Sequence, residues 1–424
     1  MCEWEVESLG KLADVVMGQS PESAFVHETE RGLPFLQGCA EFGVRHPSPV
    51  LFVDPPQRVA PAGSILISVR APVGTLNLAD RDYGIGRGLA AVIGRRRSSG
   101  YLAFAIERYI NWLHSRSQGS TFLAIGSADL RSLPIPIRVS SHADELAAEQ
   151  LNGVDSQITH TEALIAKQEQ VRAGLMQDLF TRGVDESGRL RPPREDAPEL
   201  YHETALGWLP REWEVIALEE LLAQVACPMR SGPFGSALRA NELVQAGVPL
   251  LGIDNVQVEH FEATFSRFVS PAKASELFRY RAFPGDVVIT IMGTVGRACV
   301  IPEGYGELLS SKHLWTMTFD TGIVVPRLIS WQLNFAPWVK AWFRKESQGG
   351  IMDAIQSSTL RTLKLPVPPR VEQERMAERY DVATNLISQL RADLRKLRRA
   401  RTGLLRDLLT PPAAAAVEPG IAAE

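Results

Sequence analysis

Residues 211–215 read REWEV and residues 2–6 read CEWEV, so the same four letters recur 209 residues apart. A duplication fixes domain number and architecture together, so an internal echo is read before any other signal. Three further matches follow in the same order. The strand-like run SILISVRAPVGTLNL (64–78) faces VVITIMGTVGRACV (287–300), with Val73-Gly74 opposite Val295-Gly296. QGSTFLAIGSADLRSLPIP (118–136) aligns with QGGIMDAIQSSTLRTLKLP (348–366), pairing Gln118 with Gln348, Ile125 with Ile355, Leu130 with Leu360, Arg131 with Arg361 and Pro136 with Pro366. Finally GLMQDLFT (174–181) matches GLLRDLLT (403–410). Four collinear matches make a repeat, and the widening offset places the extra residues of the second copy in its first half.

Each copy has three parts: a mixed block rich in Gly, Pro and β-branched runs, a proline-marked exit (LPIPI, 133–137; LPVPP, 365–369), and a long stretch nearly free of Gly and Pro. The second long stretch carries apolar residues at Met376, Tyr380, Ala383, Ile387, Leu390, Leu394, Leu397, Leu404 and Leu408. The steps alternate four and three, a heptad seam interrupted only by Arg401. A helix from Val371 to Leu409 at 1.5 Å per residue spans about 60 Å. The first long stretch, His142 to Arg182, is less regular: Leu151, Val154, Ile158 and Ile165, then Val171, Leu175 and Leu179, with Gly153 and Gly174 inside. It holds seven acidic and three basic residues, whereas residues 391–406 form a basic cluster, so an antiparallel pair of these two helices is expected. The basic cluster reads better as charges flanking a seam than as a phosphate-binding patch, because the heptad runs through it.

The expected organisation is α/β, of mixed α+β type: a first globular block over 1–140, a long helix over 141–183, a loop-type linker over 184–210, a second block over 211–369, a closing helix over 370–410, and a disordered tail over 411–424. The tail lacks bulky residues apart from Val417 and Ile421, and the linker is polar and proline-rich. No run of 18 apolar residues or signal-like start is present, so a cytoplasmic chain without a membrane span is expected. Cys2, Cys39, Cys227 and Cys299 show no C-x-x-C spacing, which fits a reducing compartment and argues against a cysteine zinc site. The net charge of −4 is unevenly placed. Both blocks are near neutral and residues 141–210 are acidic, so contact with nucleic acid would have to come from local patches.

Motifs that suggest catalysis fail on inspection. DPPQ (54–57) resembles the Asp-Pro-Pro-aromatic tetrad of amino-methyltransferases, but Gln57 cannot stack on a flipped base. GIGRG (84–88) has Leu89 where a dinucleotide fingerprint needs its third glycine, and it reads as a turn. HETER (27–31) and HETAL (202–206) begin like H-E-x-x-H, yet Arg31 and Leu206 occupy the second ligand position. Asp286 has no acidic-x-Lys partner and reads as a turn residue. There is no Walker Gly-Lys-Ser/Thr. The sequence offers no catalytic constellation and no metal site.

Two mixed domains, each followed by a long helix, resemble the DNA-specificity subunit of type I restriction-modification enzymes. The resemblance rests on GWLPREWEV (207–215), SGPFGSAL (231–238), the Gln-Gly…Leu-Arg…Pro exits and the matched helix ends, and it covers about residues 2–410. The first copy departs from it at GQSPESAF (18–25). The resemblance implies a non-catalytic reader of double-stranded DNA, one target-recognition domain per half-site, with the two helices as an antiparallel coiled-coil spacer. It also implies adenine methyltransferase subunits as partners, two of them, carrying the S-adenosylmethionine that this chain does not bind, and motor-nuclease subunits as further partners. A scaffold joining partners through its coiled coil without reading DNA is the alternative. Arg or Lys reads guanine, Asn or Gln reads adenine, and hydroxyls and cations hold phosphate. On that chemistry the candidate contacts are Gln19, Ser20, Arg70 and Arg87 in the first copy. In the second they are Arg230, Ser231, Ser236, Asn255, Arg297, Ser311, Lys312 and His313. Trp4 and Trp213 are expected as core anchors.

Overall fold

The computed structural model describes residues 4–116, 124–347 and 355–411. The Gln-Gly pairs of the two exits and, apart from Pro411, the tail expected to be disordered lie outside them. The chain divides into two compact units, one made of residues up to Leu164 together with those from Leu390 on, the other of Ile165–Gln389.

Within the first unit, the echoed segment forms a strand, Trp4–Ser8, that pairs antiparallel with the proline-marked exit strand Pro134–Arg138, Trp4 opposite Arg138. The core sheet runs Ala13–Met17, Leu89–Gly94, Ile65–Ser68, Leu76–Leu78, all antiparallel. Ile65, Leu66, Ile67, Ala90, Ala91 and Val92 are each 0% exposed. That explains why these strands read as continuous apolar runs: both faces are covered. A helix, Ser99–Arg108, starts where the Ser98 hydroxyl accepts the Tyr101 N–H. It packs Tyr101, Leu102 and Ile106 onto the sheet in one core cluster.

The second unit repeats this plan. Its echoed strand Glu214–Ala217 pairs with its exit strand Lys364–Val367, Val215 opposite Pro366. Its sheet runs Met229–Arg230, Leu314–Met317, Val287–Thr290, Ala298–Val300, again all antiparallel. Strand for strand the order is the same, so the duplication inferred from the sequence is present in the topology. Trp213 is 3% exposed within the main cluster of this unit, a core anchor as expected. Trp4 is only half-buried, with the Arg138 guanidinium 4.3 Å from its ring centre.

The long helices run Ser141–Thr181 and Arg370–Leu409. In the first unit Asp155 meets Arg401 and Glu162 meets Arg398, an antiparallel register, and Leu404, Leu405 and Leu408 pack on the cluster that holds Ala148 and Leu151. Arg401, the break in the heptad, holds Glu107 through two hydrogen bonds of 2.6 and 2.8 Å and also pairs with Asp155. In the second unit Met176, Leu179 and Phe180 share a core with Met376 and Tyr380. Val171 does not belong to that stripe: it is 52% exposed, and Met176 and Phe180 hold the buried positions instead. The basic cluster is thus partly spent on the acidic first helix.

Residues 184–210 are not a loop-type linker. They carry a hairpin, Tyr201–Thr204 with Gly207–Pro210, and bury Val184, Tyr201 and Leu209. Their one buried cation, Arg191, pairs with Glu372 and with Glu212. Polar composition concealed a few well-placed apolar residues that close the core of the second unit.

Candidate nucleic-acid interface

The candidates gather on two turns that recur in both repeats. The first turn leaves the Ile65–Ser68 or Val287–Thr290 strand. Gly74 N–H donates to Ser68 O (2.8 Å) and Gly296 N–H to Thr290 O (2.9 Å). The hydroxyl of Ser68 or Thr290 accepts the next amide, Thr75 N–H at 2.9 Å or Arg297 N–H at 3.1 Å. Arg70 is exposed on this turn in the first repeat and bridges to Ala124. Arg297 is half-buried in the second and donates to Gln257 Oε1 at 3.0 Å. The two arginines share a turn but not a position.

The second turn precedes the central strand. Leu89 N–H donates to Gly86 O (3.0 Å) and Leu314 N–H to Ser311 O (3.2 Å). This makes Arg87 and Lys312 equivalent, and both are exposed. Each turn is crossed closely by the segment leaving the first sheet strand. A Cβ on Gly18 would lie 2.1 Å from Gly86 O, and one on Gly232 would lie 2.1 Å from Ser310 O, so both positions require glycine. This structural match reconciles GQSPESAF with RSGPFGSAL: Gly18 equals Gly232, and the first copy is one residue longer before its Ser-Ala pair. In the first repeat the crossing places Gln19 exposed and Ser20 against the turn. Ser20 Oγ accepts Gln37 Nε2–H at 3.0 Å and the Arg87 N–H at 3.4 Å. In the second repeat Ser231 is buried, with its hydroxyl donating to Lys312 O at 3.4 Å, and Ser236 is exposed.

Two candidates are scaffold. Arg230 is 8% exposed, its guanidinium hydrogen-bonding to Asp286, Arg281 O and Thr318 Oγ1. Asp286 in turn accepts Phe283 N–H (2.7 Å) and Thr318 Oγ1–H (2.6 Å). Burial pushes the Asp286 pKa up and the Arg230 charge opposes this. Asp286 is therefore a turn residue, as expected, and also half of a buried ion pair. Asn255 is 1% exposed; its Oδ1 accepts Gly252 N–H and its Nδ2 donates to Glu262 O and Thr264 O. Neither side chain has an atom to spare for a ligand. Arginine and asparagine have the right chemistry for bases, but they have equal chemistry for tying loops, and sequence alone does not separate the two uses.

Ser311, Lys312 and His313 line a cavity of about 240 Å³ with Arg239 and Arg267, two residues outside the aligned motifs and hence missed. Its other walls include Pro233, Leu238 and Leu250, and the neighbouring Phe234 is 60% exposed. Ser311 is 6% exposed and its hydroxyl has no partner. Arg267 pairs with Asp254 through one nitrogen while its Nε–H is unpartnered. Burial, then the charges of Lys312 and Arg267, hold the His313 pKa below its usual value. Among the described residues no cluster of His, Cys, Asp and Glu could hold a metal ion, and no helix is long and apolar enough to cross a membrane.

Geometry defines a class first: a duplicated mixed domain that presents the same two polar turns twice, each copy bound to segments of two long helices. Residues 1–170 match the family model described as Type I restriction modification DNA specificity domain. The putative type I restriction enzyme MjaX specificity subunit of Methanocaldococcus jannaschii is 38% identical over 162 residues, 37% of this chain and 37% of that one. The MjaVIII specificity subunit of the same organism is 24% identical over 319 residues, 73% of this chain and 69% of that protein. The fold of the type I restriction-modification S subunit from M. genitalium matches with a TM-score of 0.56 at 16% identity, over 97% of both chains. The first repeat therefore matches the DNA specificity domain of type I restriction-modification systems, and the whole chain is similar in fold to an S subunit of such a system.

Proposed function

We propose that this chain reads a bipartite double-stranded DNA site without catalysing a reaction, one repeat per half-site, for adenine methyltransferase subunits that bring S-adenosylmethionine. The observation that carries this reading is the equivalence of the two turns in the two repeats. A duplicated sheet holds an exposed cation, Arg87 or Lys312, at the same place against the same glycine crossing. Duplicated readers joined by continuous helices suit two half-sites separated by a fixed gap, as symmetric dimers do. Two methyltransferase subunits would dock on the helices, which act as an antiparallel coiled-coil spacer, and motor-nuclease subunits would join that assembly in the cytoplasm. The contact set is Gln19, Ser20, Arg70 and Arg87 in one repeat, and Ser236, Arg297, Ser311, Lys312 and His313 in the other, with Ser231 supporting the turn.

Sequencing that detects modified adenines in the source genome is expected to show a split motif with a constant non-specific gap, lost when this gene is deleted. Persistence of every such motif after deletion would sink the proposal. Replacing residues 1–140 with the matching block of a related subunit should change one half of the motif only. A purified complex that binds cognate and scrambled duplexes equally at a stated moderate salt concentration would instead favour a scaffold.

A further inference from the structure

The cavity beside the second turn has a one-sided chemistry. Its unpartnered polar groups are the Ser311 hydroxyl, the Arg267 Nε–H and the side chains of Arg239 and Lys312, which take part in no ion pair among the described residues. All of them can donate, and three belong to cations. Two carboxylates are bonded to the lining and both are already held, Asp254 by Arg267, and Glu242 by Lys273 and the Arg239 backbone N–H. Donors crowded without acceptors call for a ligand that is anionic and rich in oxygen. Burial lowers the His313 pKa first, and the charges of Lys312 and Arg267 lower it further.

Phosphate and the acceptor edge of guanine both answer to that chemistry, and the shape of the site separates them. Base edges lie recessed in a groove and are met by side chains that protrude. Here Ser311 is 6% exposed and lines a cavity whose walls include Pro233, Leu238 and Leu250, a recessed setting that suits a group protruding from the DNA. Phosphodiesters protrude. We propose that the Ser311 pocket of the second repeat seats one backbone phosphate of the DNA, gripped by Lys312, Arg239 and Arg267 and accepting a hydrogen bond from the Ser311 hydroxyl. The proposal rests on the DNA-reading function above and assigns this pocket to positioning, not to sequence choice. The first repeat has Gly86 at the place of Ser311 and lacks that hydroxyl, so the grip belongs to the second half-site alone.

The test uses the full chain in its purified methyltransferase complex, with the cognate duplex found by methylation sequencing and a scrambled duplex, each titrated over a range of salt. Lys312→Met and Arg239→Met are surface changes, and the complex should assemble and melt as the wild type does. Each is expected to weaken binding to both duplexes by a similar factor, about tenfold, and to lower the slope of log affinity against log salt by up to about 0.9. The double variant should lower the slope no further than about 0.9, because both cations serve one phosphate. Ser311→Ala should leave stability unchanged, since the hydroxyl has no partner in the free protein, yet cost about tenfold in affinity. The His313 imidazole, followed by NMR, should titrate at higher pH once DNA is bound. A variant that relaxes preference at one base pair would overturn the phosphate assignment in favour of base reading. Unchanged affinity in all three single variants would also overturn it. If the wild type does not discriminate between the duplexes, the DNA-reading function falls, whereas a slope drop in the variants would still uphold the pocket.

Discussion

At the head of each long helix the two repeats meet one need with different chemistry. In the first unit Asp144, its side chain 1% exposed, accepts Arg97 Nε–H (2.9 Å), Arg138 Nη1–H (3.0 Å) and the Arg138 backbone N–H. In the second unit the equivalent residue is Gln373, 1% exposed. Its Oε1 accepts Val325 N–H (2.7 Å) and its Nε2 donates to Ile323 O (3.0 Å) and Pro368 O (2.8 Å). Pro368 stands where Arg138 stands. Both side chains tie the first helical turn to the exit strand, one through charge and one through neutral hydrogen bonds. The opening tryptophans follow suit: Trp4 lies under Arg138, while Trp213 Nε1–H donates to Glu372 Oε2 at 3.2 Å. Duplication has preserved where a tie is needed and not which atoms make it.

The largest expected effect breaks the charged tie. Asp144→Ala leaves Arg97 and Arg138 without their buried partner and should destabilise the first unit by about 3–5 kcal/mol. Urea unfolding followed by hydrogen exchange on peptides of that unit measures it. A cost no larger than that of removing Gln373 would erase the contrast. Next, Arg230→Met strands Asp286 and should cost the second unit about 3 kcal/mol while leaving the half-site preference of the surviving folded protein intact. Altered preference in a binding-site selection would return Arg230 to the contact set. Gln373→Ala should cost about 2 kcal/mol, since three backbone groups lose partners but no charge is stranded. The smallest effect sharpens the comparison at the other ends of the helices. Arg401→Met removes a partly exposed network and should cost about 1 kcal/mol. Arg172→Met, whose ion pair with Glu259 is stretched to 4.0 Å, should cost less than that in the same unfolding assay.

The plan of the fold was legible in the sequence because repeats announce themselves. Collinear motifs located the opening strands, the exits and the helix ends, and the stretches nearly free of Gly and Pro marked both long helices to within a residue. What escaped was decided by partners far along the chain. Nothing near Arg230 in sequence reveals Asp286, and nothing in residues 184–210 reveals that Arg191 meets Glu372. Within the candidate interface the aligned glycines led to Arg87 and Lys312, whereas Arg239 and Arg267 share no sequence motif with the first repeat, although the strand after Arg267 pairs with its neighbours as Leu51–Val53 does in the first unit. Burial sorts readers from ties, and burial is a property of the whole unit.

The make-up of the first unit also sets an order of events during synthesis. Its core closes on Leu404, Leu405, Leu408 and Leu409, the last of them 0% exposed, among residues synthesised after the whole of the second unit. The second unit is one continuous segment, Ile165–Gln389, complete before those leucines appear. The unit begun first is therefore finished second, and the part of its core that takes the four leucines waits through the synthesis of the whole second unit. A chain stopped near residue 389 should keep a protease-resistant second unit and lose the first, so that the last two turns of the closing helix act as the latch of the first unit.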